Sequence, residues 1–174
     1  MSRSKIVRYY VEGDMERNLI NTLKTEMQCI LPGKVSVINV IQEDLKSGRR
    51  LMLLPPKTTV VLIFDTDVID CNIDNLKKNI NILQGDSHVK EVICIPQYKK
   101  LEDEIIRSTD IRNFKEFTQS RSNSDCKRDF LKMDLKRLSK KLQEHQFDLN
   151  KLWNQKPMSP YSFIENGAHK IKKQ

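Results

Sequence analysis

The chain has 174 residues, 38% of them hydrophobic and 31% charged, with a net charge of +8. That balance fits an ordered globule and excludes a disordered polymer, and only five Gly and six Pro exclude collagen-like and linker-type chains. The longest unbroken apolar run, Val60 to Phe64, is far short of the roughly 20 residues a membrane helix needs.

The N-terminus, Met1 to Lys5, leads into an alternating stretch with no signal-peptide pattern, which points to a cytoplasmic protein without a membrane partner. Lys5 to Val11 is rich in β-branched and aromatic residues and ends at Glu12-Gly13, a strand. Leu19, Leu23, Met27 and Ile30 then recur at helical spacing until Pro32-Gly33. Val35 to Ile41 reads as a second strand, and residues 42 to 57 as a polar loop carrying Arg49 and Arg50. Thr58 to Phe64 is nearly all apolar, the pattern of a strand buried on both faces, and it ends at Asp65-Thr66-Asp67. Ile73, Leu76, Ile80 and Leu83 mark a helix closed by Gly85, and Val89 to Ile95 a fourth strand.

This alternation predicts an α/β fold: a parallel sheet of about four strands with helices on both faces, over residues 1–97. Residues 98–174 read as a basic α-helical extension packed on that core. Its expected parts are helices at Leu101–Ser108 and Asn113–Thr118, a long helix from Asp125 to Gln146, and a short one at Phe147–Trp153. The last residues, from His169, are expected to fray. Almost all of the excess positive charge lies beyond residue 96, which points to a polyanion partner, most simply DNA or RNA. Along the long helix Arg128, Lys132, Lys136 and Lys140 recur every four residues, a row suited to sequence-independent contacts with phosphates. Arg49 and Arg50 are further candidates for such contacts. Trp153, Tyr161 and Phe163 are expected in the core or at a subunit contact rather than stacked on bases. Cys29, Cys71, Cys94 and Cys126 are widely spaced and read as reduced thiols.

The chemistry lies in the acids. Parallel strands put their carboxyl ends on one edge of the sheet, where ligands bind. Glu12 and Asp65 should therefore be neighbours. In extended chain, Asp65 and Asp67 point the same way, and Glu16 lies in the first helical turn after Glu12. Hard oxygens gathered in this way suit Mg²⁺ or Mn²⁺. The structural alternative is that acids such as Glu12 and Asp67 cap helices.

The strand ending in Glu12-Gly13, followed by the strand Val60 to Phe64 ending in Asp65-x-Asp67, resembles the Toprim domain. The run Val11 to Arg17, with a second Glu four residues after the first, resembles the overcoming-lysogenization-defect and RloB-like branch of small Toprim nucleases. The resemblance implies metal-dependent hydrolysis of phosphodiester bonds, one ion activating water and a second stabilising the leaving oxygen. It implies ligation by Glu12, Glu16, Asp65 and Asp67, with Glu102 or Glu104 completing a second site, and Lys127 or Arg128 as the basic catalytic partner. It also implies a role in phage defence beside an ATPase partner, and leaves a homo-oligomer open.

Three other readings compete. The Toprim-like fold without catalysis would serve as a nucleic-acid-binding or regulatory subunit. Asp65-Thr66-Asp67 after an apolar strand also resembles the nucleophile motif of haloacid-dehalogenase-like phosphatases. A receiver-like phosphoacceptor would place its paired acids on the first strand rather than the third.

Overall fold

The computed structural model describes residues 5–46, 54–67 and 73–173. Four parallel strands, β1 (Ile6–Val11), β2 (Lys34–Val37), β3 (Thr58–Phe64) and β4 (Val89–Pro96), form one sheet in the order β2-β1-β3-β4. The helices are α1 (Asp14–Asn21), α2 (Ile73–Gly85), α3 (Leu101–Ser108), α4 (Phe114–Thr118), α5 (Cys126–Leu131) and α6 (Leu135–Glu144).

Period-two alternation divides the strands between two apolar layers. Tyr9, Val11, Val61, Ile63, Ile93 and Ile95 face one layer, which also contains Leu19 and Ile20 of α1, Ile105 of α3, Phe117 of α4, Phe130 of α5 and Leu138 and Leu142 of α6. Tyr10, Val60, Leu62 and Phe64 face the other, with Leu76 and Leu83 of α2. Every residue of β3 is buried, as expected of a strand covered on both sides.

From β1 the chain crosses to β2 on one side, and from β3 to β4 on the other. The strand order therefore reverses between β1 and β3. This is the topological switch point, and the crevice there is where open α/β sheets take ligands.

Five sequence expectations are corrected. The first helix ends early: α1 runs into a π-helical turn at Thr22–Glu26, and Gln28 takes φ 52°. Ile30 nevertheless reaches the core, because it bridges to Lys172. The second strand stops at Val37, because the Asn39 side chain takes the N–H groups of Ile41 and Gln42 (3.1 Å each) and turns the chain. The long helix is two helices. Asp134 is extended and accepts from the Arg137 N–H at 2.8 Å, an N-cap that starts α6 afresh. Residues 147–153 form turns rather than a helix, since Asp148 N–H is tied to Ser108 O at 2.8 Å and its carboxylate accepts from Asn150 N–H. Residues 169–173 do not fray. Ile171 is fully buried, Leu31 N–H donates to Ile171 O at 2.8 Å and Lys173 N–H donates to Cys29 O at 2.9 Å.

Beyond Glu144 the described chain contains turns, irregular segments, one 3₁₀ turn at Ala168–Lys170 and the bridge at Lys172, so the second half is not helical throughout. Trp153 and Tyr161 are buried, whereas Phe163 is 48% exposed under the Lys77 ammonium. Cys29, Cys94 and Cys126 are free thiols, and burial pushes Cys94 up to about 11. Cys71 lies outside the described residues. Among the described residues no helix is long and apolar enough to cross a membrane.

Candidate active site at the switch point

Glu12 follows the last residue of β1, and Asp65 the last residue of β3. Because β1 and β3 pair in register up to Val11 and Ile63, the two acids meet. Glu12 Oε2 accepts from the Asp65 backbone N–H at 3.0 Å. Its Oε1 accepts from Asn39 Nδ2 at 3.1 Å, so the turn that ends β2 also fixes this carboxylate.

Glu16 is in the first turn of α1 and only 8% exposed. It folds back over Gly13: a Cβ there would meet Glu16 Oε2 at 3.1 Å, a tight contact that the glycine relieves. Burial raises the Glu16 pKa, with the charges of Glu12 and Glu102 acting in the same direction. Asp65 is pushed up to about 9, first by burial, then by the charges of Glu16, Glu12 and Asp67. Asp67 is exposed at the rim.

Gln97, fully buried just beyond β4, joins these acids. Its Nε2 donates to Asp65 Oδ1 at 2.5 Å and to Glu16 Oε1 at 3.4 Å. Its backbone N–H donates to Phe64 O at 2.8 Å, and its carbonyl accepts from Thr66 Oγ1 at 2.5 Å. Thr66 N–H in turn donates to Lys99 O at 2.7 Å, and Lys99 N–H returns a bond to Thr66 Oγ1 at 3.2 Å. The segment after β4 is thus fastened to Asp65-Thr66-Asp67, which puts Lys99 and Lys100, both exposed, at the same edge.

The donor set fits a hard divalent cation in one respect. Buried carboxylates that repel one another need a proton or a cation, and carboxylate oxygens are what Mg²⁺ and Mn²⁺ take. The acids do not close on a point: among the described residues no group of three His, Cys, Asp or Glu side chains is placed to hold an ion.

The remaining expected site residues divide sharply. Glu102, in the first turn of α3, adds its charge to Glu16 and so borders the cluster. Glu104 is fully buried and faces the protein instead. It accepts from Tyr98 N–H at 2.7 Å and Trp153 N–H at 2.9 Å, and pairs with Arg107, whose guanidinium lies over the Tyr98 ring. Its oxygens are committed to holding α3 and the residue-153 segment together.

Arg128 is engaged by Asp125 at 2.8 Å and Asp129 at 3.2 Å. Lys127 is exposed on α5. The helix break at Asp134 separates Arg128 and Lys132 from Lys136 and Lys140, so the four do not form one stripe. Lys132 faces Asp129 at 3.8 Å, and Lys140 faces Glu144 at 3.6 Å. Arg49 and Arg50 lie outside the described residues.

Sequence reasoning missed Asn39 and Gln97. Asn39 had a local signal, an Asn just after a strand and ahead of a polar loop. Gln97 had none beyond its position after β4.

No protein-family model, curated protein or solved structure matches this chain.

Proposed function

We propose that this chain is a Mg²⁺- or Mn²⁺-dependent nuclease of Toprim type that hydrolyses phosphodiester bonds in DNA or RNA. The observation that carries the reading is the contact of Glu12 with Asp65 across the switch point of an all-parallel sheet. The site reads as an acidic edge suited to positive charge, because burial first, and then neighbours of its own sign, drive Asp65 toward its protonated form.

Glu12, Glu16, Asp65 and Asp67 would hold one or two ions, with Glu102 beside them. Bound there, the ions would polarise the phosphoryl oxygens and neutralise charge on the entering and departing groups. Asn39 and the Asp65 N–H keep Glu12 oriented, and Gln97 keeps Asp65 oriented. Lys99 and Lys100 at the rim would attract the phosphate backbone. Of the two expected basic partners, Arg128 is already paired with Asp125 and Asp129, which favours Lys127.

The test is incubation with DNA and with RNA in Mg²⁺ or Mn²⁺, against the Asp65→Ala/Asp67→Ala variant. Cutting should fall by more than the 10–100-fold typical of substitutions outside the metal ligands. Binding without cutting under either ion would instead support a non-catalytic subunit. Release of phosphate from small monoesters, with nucleic acid left intact, would support the phosphatase. The resemblance extends the reading to a phage-defence effector acting beside an ATPase. Co-purification of an ATPase from the native host would support that, and a lone, constitutively active chain would count against it.

A further inference from the structure

The side chain of Gln97 touches three groups, and their chemistry fixes its orientation. The Trp153 indole N–H only donates, whereas the carboxyls of Asp65 and Glu16 accept in either protonation state. The amide NH₂ must therefore face the two acids, and Oε1 must face Trp153 Nε1, which donates to it at 3.3 Å. Rotating the amide by half a turn would set its N–H against the indole N–H.

Trp153 is itself held in an uncommon conformation. Its φ is 54°, left-handed backbone that a bulky residue rarely adopts, and such strain persists where the surroundings over-determine it. Three bonds do so here. The backbone N–H donates to buried Glu104, the indole donates to Gln97, and the carbonyl accepts from Asn166 Nδ2 at 2.9 Å. The ring is 2% exposed.

We propose that Gln97, held by Trp153, is a positioning residue of the acidic site, and that the carboxyl-terminal segment around Trp153 is a working part of that site. The chain of contacts runs from Glu104 and Asn166 through Trp153 and Gln97 to Asp65 and Glu16. It sets the direction in which Asp65 and Glu16 present their remaining lone pairs. Only its consequence for cation binding rests on the proposed nuclease reading; the linkage between Trp153 and Asp65 does not.

The chain has one tryptophan, so its indole N–H gives a single cross-peak in the ¹⁵N-labelled full-length protein. In chelator, both Gln97→Met and Asp65→Ala should move that peak and speed its hydrogen exchange. Titration with Mg²⁺ alone, followed by calorimetry, should show binding weakened about 10–100-fold in Gln97→Met, the usual cost of losing a residue that orients ligands. Trp153→Phe, which keeps an aromatic ring but loses the donor together with the five-membered ring, should weaken it less, and it carries the affinity comparison if Gln97→Met does not fold.

An indole peak that ignores Asp65→Ala would overturn the proposal. So would wild-type Mg²⁺ affinity in a Gln97→Met protein of unchanged circular dichroism, since that would leave Gln97 with a purely structural role. If the wild type binds no Mg²⁺, the metal reading fails, and the response of the indole peak to Asp65→Ala alone decides the positioning role.

Discussion

The acidic edge and the basic helices use charge in opposite ways. At the edge, Glu12, Glu16 and Asp65 are partly or wholly buried, and each accepts a bond from an atom the fold positions: a main-chain N–H, the Asn39 amide or the Gln97 amide. On α5 and α6, Arg128, Lys132, Lys136 and Lys140 all stand in solvent, and the ion pairs seen there are to acids of the same helical stretch. Oriented burial stores electrostatic free energy that a ligand can release. Exposed charge supplies only a screened field. The held, partly buried acids are therefore at the edge, and the second half touches them through Trp153, which bonds Gln97, more than through its positive charge.

The sharpest way to break this comparison is at Glu104, the one acid of the Leu101–Glu104 run that lies wholly inside. Glu104→Ala leaves Arg107 without its carboxylate and frees the Tyr98 and Trp153 N–H groups. Loss of one partner of a buried pair should cost about 3–5 kcal/mol, read from urea unfolding. Glu102→Ala should cost far less. If the two variants unfold alike, the division between a structural and a site-bordering acid is wrong.

Acidity gives the next effect. Asp65 titrates at the usual 3.8 when unfolded and at about 9 when folded, so between these values the native state holds more protons. The stabilisation from protonated Asp65 is complete below about pH 4 and is lost as pH rises toward about 9. Glu16, raised for the same main reason, acts in the same direction. In chelator, the thermal midpoint should fall between pH 5 and pH 9, and Asp65→Asn should flatten the slope. A midpoint that climbs over that range would mean the acids are not the strained element of the fold.

The smallest effect is expected from the basic row. Lys136→Gln/Lys140→Gln should change stability by less than about 0.5 kcal/mol, as for most surface substitutions. If both lysines contact phosphates, the pair should lower the salt slope of nucleic-acid binding by about 0.9 for each contact. A slope unchanged from wild type would remove these residues from the interface while leaving the acidic edge untouched.

Much of the frame was legible in one dimension. β3 and α3 fall where the sequence predicts them, β4 and α2 nearly so, and the placement of Glu12 and Asp65 at neighbouring strand ends follows from parallel pairing. Short-range periodicity carries such information because it reports which face of a local element is buried. The cap at Asp134 was also written locally, yet the leucine and lysine spacing across it concealed the break.

The tertiary structure alone decided the rest. Gln97 lies 32 residues from Asp65, 81 from Glu16 and 56 from Trp153, so no local pattern announces their meeting. Glu102 and Glu104 are two positions apart on one short helix, and packing by Tyr98 and Trp153 turned one of them inward. The polar tail hid Ile171, whose burial ties the last residues to the stretch before β2. The sequence by itself determined which acids end which strands. The strand order and the path of the last thirty or so residues determined which donors hold those acids, because hydrogen bonds between distant segments form only after the sheet has fixed its neighbours.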